Sequence, residues 1–336
     1  MKTFYSIFKM LFLFIGFTGV SLTASEEGKI LVAKSFQVSS KGTLTVETVL
    51  GSIEIIPGDQ DALRIEIRRK PSPLSDKEAQ RLFDELMIRF EQRGNDVFVF
   101  IEHEKQGDWF HRMRHWRLQL QIIAYVPREY NLDLVTAGGS ISVSDLNGEV
   151  KARTSGGSLT FGNINGPITG RTSGGSISLE SCMGAVDVRT SGGSIRIGRV
   201  EGTVEAHTSG GSLKIVKAAG KVNASTSGGS ITVEEAAGSI TASTSGGSIT
   251  AKITAQPADD CRLTTSGGTI SVYIAPELKF SLDAKTSGGK VTTEFPVLIQ
   301  GEIDRTHLVA DVNGGGPLLY LRTSGGNIHI RKANNL

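Results

Sequence analysis

A short motif, Thr-Ser-Gly-Gly-Ser followed by Ile or Leu, constrains this chain more than any other feature. Copies open at Thr136, Thr154, Thr172, Thr190, Thr208, Thr226 and Thr244, each 18 residues after the last, the first with Ala137 in the serine place. A second glycine halves the period, since Gly139 to Gly148, Gly157 to Gly166 and Gly175 to Gly184 are each nine residues apart. Self-similarity at so short and fixed a period means stacked supersecondary units.

One repeat, Ser140 to Gly157, shows what each unit is. Ser-Ile-Ser-Val-Ser alternates polar and apolar, Asn147-Gly148 marks a turn, and Glu-Val-Lys-Ala-Arg-Thr alternates again. Alternation of period two between glycine turns is the strand signal, and a helix would not space its apolar residues by two. Superposed repeats give apolar columns: Ile141, Leu159, Ile177, Ile195, Leu213, Ile231 and Ile249; Val143, Phe161, Leu179, Ile197, Ile215 and Val233; Val150, Ile168, Val186, Val204, Val222 and Ile240. Ser142, Thr160, Ser178, Arg196, Lys214 and Thr232 lie between the first two columns and face outward. The chain is therefore all-β, a parallel two-sided β-solenoid of 18-residue coils rising about 4.8 Å per coil. The corner glycines are expected to supply positive φ. The threonine column from Thr154 to Thr244 is expected to form a hydroxyl ladder along its own column and to nearby corner backbone.

The pattern divides the chain into four parts. Residues 1–24 read as an export signal, with Lys2 and Lys9 ahead of an uncharged run from Met10 to Ala24 and small residues at its end. That run is short of the ~20 residues that span a bilayer as a helix. Residues 30–135 carry irregular N-terminal coils, 136–255 the regular repeat, and 256–336 irregular C-terminal coils and a cap. One amphipathic helix is inserted over 75–92: Ser75 and Glu78 make a capping box, Ala79, Leu82, Leu86 and Phe90 follow at helical spacing, and Gly94 supplies the stop. Leu319–Leu321 and Asn327–Arg331 are read as the closing strands.

Net charge gives no support to a general polyanion binder. The chain has 36 Lys and Arg against 34 Asp and Glu; the signal holds two of the lysines and no acid, so the remainder balances at 34 of each. A nucleic-acid partner has no support. Cys182 falls in the inward column of Leu146, Ile164, Val200 and Ala218, and Cys261 lies about four coils on, roughly 19 Å along the axis. A disulfide needs Cα atoms within about 7 Å, so two free thiols are expected.

Motif chemistry is sparse. A strand follows each glycine pair, never the helix that would hold a phosphate. The turns carry Ser, Thr and Gly rather than the Asp of calcium-binding nonapeptides. No metal or cofactor motif is recognised. Asp187 and Glu205 fall on adjacent coils, the minimum for a carbohydrate-active β-helix enzyme, while Arg153, Arg171, Arg189 and His207 form a basic ladder that could engage an anionic polymer. Concentrated recognition chemistry occurs once, at Asp108–Arg117, which holds both tryptophans. Trp109, His111, Arg112, Arg114, His115, Trp116 and Arg117 make a candidate ligand contact, since aromatic and Arg side chains together suit a glycan, an envelope polymer or a membrane surface. His111 and His115 have metal-ligand spacing but no third ligand.

The segment from Pro127 to Ile141, the Thr-Ser-Gly-Gly-Ser series and the closing Leu-Arg-Thr-Ser-Gly-Gly-Asn-Ile-His-Ile330 resemble the bacterial putative-adhesin family, over residues 36 to 331. The resemblance implies an exported β-solenoid outside the cytoplasm and supplies no catalytic residues. The expectation is a non-enzymatic cell-envelope protein, secreted, periplasmic or on the cell surface, with an adhesin-like binding or scaffolding surface. The alternatives are a carbohydrate-active β-helix enzyme on anionic polysaccharide and an envelope-stress regulatory partner.

Overall fold

The computed structural model describes residues 28–39, 41–59, 61–103, 118–297 and 304–333. Strands β1 (Lys29–Gln37), β2 (Thr43–Thr48), β3 (Ser52–Gly58) and β4 (Ala62–Arg69) precede helix α1 (Asp76–Asp84). After it come β5 (Leu86–Arg93), β6 (Asp96–His103) and β7 (Leu120–Pro127). The regular coils then alternate between two sheets. Sheet B takes β8 (Asn131–Thr136), β10 (Val150–Thr154), β12 (Ile168–Arg171), β14 (Val186–Arg189), β16 (Val204–His207), β18 (Val222–Ser225), β20 (Ile240–Thr244) and β22 (Cys261–Thr265). Sheet A takes β9 (Ile141–Val143), β11 (Leu159–Ile164), β13 (Ile177–Cys182), β15 (Ile195–Val200), β17 (Leu213–Ala218), β19 (Ile231–Ala236), β21 (Ile249–Ile253) and β23 (Ile270–Ile274). The chain finishes with β24 (Phe280–Thr286), β25 (Val291–Thr293), β26 (His307–Val312), β27 (Leu318–Thr323) and β28 (Ile328–Lys332).

The fold is the expected two-sided parallel solenoid. Neighbouring coils pair in parallel with equivalent repeat positions opposed, as in Ile177 with Ile195 and Val186 with Val204. Every member of the three apolar columns is buried, so one continuous core runs between the sheets. Each buried Ile or Val contributes about 1.5–3 kcal/mol, but only when the next coil covers it.

The ends depart from a simple winding. The first coil in sequence, β2 with β3, lies between the coil β6–β7 and the coil β8–β9. The last, β27 with β28, likewise lies between β22–β23 and β24–β25. Leu319–Leu321 and Asn327–Arg331 therefore close the sequence but not the stack. Both terminal coils sit one layer in, where both strand edges are paired, and antiparallel additions finish three of the four sheet ends: β4 and β1 beyond β7, β5 beyond β6, and β26 beyond β24. Such additions break the flat parallel template that an open edge would offer another chain.

The inserted helix is shorter than expected. It spans Asp76–Asp84, with the Ser75 hydroxyl accepting from the Glu78 N–H, and buries Ala79 and Leu82. Residues 86–92 are strand, not helix. Leu86, Ile88 and Phe90 turn toward the core at period two, and Gly94, at φ 62°, belongs to the turn of the β5–β6 hairpin.

Two details of the corners also differ. None of the Thr-Ser-Gly-Gly glycines has a positive φ; among the described glycines positive values fall at Gly51, Gly94, Gly314 and Gly315. The second glycine of each pair is needed for space instead: a Cβ on Gly193 would lie 2.1 Å from the carbonyl oxygen of Gly175. The threonine hydroxyls bond corner backbone rather than each other. Thr190 donates to the Gly175 carbonyl of the preceding coil (2.8 Å) and accepts from the Gly193 N–H (3.3 Å), and Thr154, Thr172, Thr226 and Thr244 do the same in their coils. The ladder along a column is made by serine, whose Oγ accepts from the next coil's N–H, as Ser194 does from Ser212.

Cys182 lies inward on β13 between Ile164 and Val200, and Cys261 lies inward on β22 in the opposite sheet. Both are free and buried. No helix among the described residues is long and apolar enough to cross a membrane.

Candidate functional site

Trp109, His111, Arg112, Arg114, His115, Trp116 and Arg117 lie outside the described residues, as does the export signal at 1–24. The described residues on either side of that stretch are placed. His103 ends β6 in sheet B, and Leu118 lines a groove of about 710 Å³ with Leu50, Lys70, Leu120 and Gly138.

The outer face of sheet B carries the recognition chemistry that the structure does describe. Because the coils share one register, alternate residues of each strand fall into two outward columns. One runs Phe98, Thr45, Asp133, Lys151, Thr169, Asp187, Glu205, Asn223, Thr241, Arg262, Tyr320 and Asp283. The other runs Phe100, Glu47, Val135, Arg153, Arg171, Arg189, His207, Ser225, Ser243, Thr264, Arg322 and Lys285. From Phe98 to Tyr320 is ten strand spacings, about 48 Å.

Aromatic and guanidinium groups meet near both ends. Near the N-terminal end Phe98 and Phe100 stack, with centroids 6.5 Å apart and planes 7° from parallel, and Arg93 and Arg89 each lie 5.2 Å from one ring. These four residues were missed in the sequence. The available signal is Val97-Phe98-Val99-Phe100-Ile101, a strand with no polar residue on the face where neighbouring strands carry Thr, Glu and Asp. Toward the C-terminal end Arg262 and Arg322 each lie 4.0 Å from the Tyr320 ring. Arg322 is held to Asp283 at 2.5 Å, and the other Asp283 oxygen meets His307 at 3.0 Å.

The basic ladder falls in register, but much of its charge is spent. Arg171 pairs with Asp187, while Arg189 bridges Asp187 at 3.3 Å and Glu205 at 3.6 Å. Partial burial opposes ionisation of Asp187, yet the Arg171 hydrogen bond and the charges of Arg171 and Arg189 outweigh it and hold the carboxyl below its ordinary range. An acid catalyst needs a raised pKa, and the two arginines hold Asp187 the other way. On sheet A, Lys214 and Lys217 pair in the same way with Glu234 and Glu235. Among the described residues no three His, Cys, Asp or Glu are grouped to hold a metal ion.

Comparison with known proteins bears on the fold. The sequence model of the Toastrack DUF4097 family matches residues 42–331. The structure is similar to that of a putative adhesin from Bacteroides fragilis, at 17% identity and a TM-score of 0.34 over 92% of this chain and 99% of that one. It is similar to a putative adhesin from Parabacteroides merdae, at 12% identity and 0.42 over 91% and 97%. A third similar structure is a putative lipid binding protein from Parabacteroides distasonis, at 13% identity and 0.35 over 91% and 98%. No curated protein matches the chain.

Proposed function

Since the chain belongs to the Toastrack DUF4097 family, in keeping with the putative-adhesin resemblance of its repeats, we propose that it is an exported, non-enzymatic envelope protein presenting one face of its solenoid as an adhesive or scaffolding surface. The observation that carries this reading is the outer face of sheet B: two columns in register, about 48 Å long, with aromatic–guanidinium clusters toward both ends. A rigid, periodic face of this kind suits an extended partner, because its groups are fixed before binding. The locking of Asp187 and Glu205 by arginine supports binding over hydrolysis. Trp109 and Trp116 with His111, Arg112, Arg114, His115 and Arg117, which follow β6 in the sequence, supply further contacts for a partner that is a glycan, envelope polymer or membrane surface. The leader at 1–24 delivers the protein to the periplasm, the cell surface or the medium.

The test is retention of the purified mature chain on envelope material from the cells that make it, with polysaccharide breakdown followed in parallel. Saturable retention without breakdown, weakened in a Trp109→Ala, Trp116→Ala double variant, is expected. Depolymerisation of an anionic polysaccharide would sink the non-enzymatic reading. Recovery of the chain only in the cytoplasmic fraction would sink export.

A further inference from the structure

The middle of sheet B's outer face is not flat. On β18 and β20 the outward residues are small, Asn223, Ser225, Thr241 and Ser243, and they floor a shallow trough of about 300 Å³. One wall is Arg189, Glu205 and His207, with the His207 Nδ1 2.7 Å from the Ser225 hydroxyl. Arg262, in register with Thr241, follows one strand beyond that floor.

Ion pairing distinguishes the arginines on the two sides of the floor. Arg189 is tied to Asp187 and Glu205, so that side presents a neutralised pair. Behind Tyr320, Arg322 is tied to Asp283. Arg262, by contrast, has no carboxylate partner among the described residues and is held by its stack on Tyr320, 4.0 Å from the ring centroid. Stacking orders a long side chain while leaving its N–H edge unspent, which suits bidentate capture of a carboxylate. The floor offers hydroxyls and an amide, each able to donate and accept, repeated at the strand spacing of about 4.8 Å. That spacing is close to the rise of successive rings in a linear polysaccharide.

We propose that this trough is a subsite for an acidic oligosaccharide, with a uronate carboxylate on Arg262 and sugar hydroxyls on Asn223, Ser225, Thr241 and Ser243. The proposal rests on the reading of sheet B's outer face as the binding face, and it assigns that face a ligand class and a position. One unpaired guanidinium matches one carboxylate. The paired Arg189 and Glu205 opposite it match neutral hydroxyls rather than a second charge.

Calorimetric titration of the mature chain with trigalacturonate, maltotriose and triglutamate tests it. Trigalacturonate is expected to bind saturably and the other two at least about tenfold more weakly, the scale of one charge-assisted pair. Arg262→Gln should weaken trigalacturonate by about tenfold. Thr241→Trp, at an outward position, should abolish binding by filling the floor. Arg196→Gln, at an outward position on the opposite sheet, should change it less than about twofold. Absence of trigalacturonate binding, equal binding of triglutamate, or equal loss in Arg196→Gln would each overturn the subsite. Retention on envelope material alongside such a result would leave the broader reading standing, so the two failures can be told apart.

Discussion

The hydroxyl of Thr208 donates to the carbonyl of Gly193, in the preceding coil, over 2.8 Å, and Thr208 is fully buried. The same oxygen accepts from the Gly211 N–H at 3.3 Å, so one side chain ties a corner to the coil before it. The relationship explains why the motif starts with threonine. Its methyl group fills the core beside the columns, and its hydroxyl satisfies a corner carbonyl that no strand partner reaches.

Thr208→Val should therefore destabilise the stack although it preserves shape. It leaves the Gly193 carbonyl and the Gly211 N–H without this partner, a cost of about 1–3 kcal/mol. Thr208→Ser keeps the hydroxyl and should lose less. Urea denaturation followed by circular dichroism compares them, and a valine variant as stable as the parent would show that the bond contributes nothing.

Adjacent glycines should differ sharply. A Cβ at Gly193 would stand 2.1 Å from a backbone oxygen of the coil before, whereas one at Gly192 would stand 3.5 Å from Gly174 O. Gly193→Ala must force two coils apart and is expected to cost about 1–3 kcal/mol or more. Gly192→Ala needs no such shift and should stay within about 1 kcal/mol of the parent. Equal melting of the two variants would refute the close-approach account.

Burial pushes both thiols up, that of Cys182 and that of Cys261, so neither is readily ionised. The folded chain should react with a water-soluble disulfide reagent at negligible rate near neutral pH, and two thiols per chain should appear on denaturation. Intact mass under non-reducing conditions should show no intramolecular bridge. A denatured sample giving no free thiol would mean that the sheets are placed wrongly, because the two residues belong to opposite sheets.

Much of this architecture was legible because the repeat makes every coil an independent statement of the same pattern. Ile141, Leu159, Ile177 and Ile195 could be aligned by counting alone, and the inward columns, the two sheets and the free cysteines followed. What was not legible depended on distances between coils. Glycine at Gly193 is consistent with either a positive φ or a close approach, and only the 2.1 Å spacing distinguishes them. Likewise Leu86 and Phe90 fit a helical stripe and also the alternating face Leu86, Ile88, Phe90; pairing with β6 decides between them. The placement of β27 one coil inside its end was hidden because one of its two partners, β22, is a strand far back in sequence. On the candidate site, the Arg153–His207 ladder was visible as a column, but its ion pairs depend on how side chains of the two columns reach one another, and the pairing of Arg262 with Tyr320 arises from chain segments that the period does not connect.

Asp283 gives the stack a pH dependence whose sign can be worked out. The hydrogen bond from Arg322 is the main cause that holds its carboxyl below the usual range, with the His307 contact and both charges adding and partial burial opposing. A carboxyl depressed in the folded state stabilises it above the unfolded pKa of about 3.9, and that contribution disappears as the pH falls through the lower folded value. Asp283→Asn removes the charge while keeping the side chain's size, so it should be less stable than the parent at neutral pH. The gap between the two should narrow only below about pH 4 and become constant once the folded carboxyl is protonated. Melting temperatures of both proteins from pH 7 to pH 2 measure this. A gap that closes between pH 7 and pH 5 instead would assign the dependence to another group and detach Asp283 from the link it makes between β24 and β27.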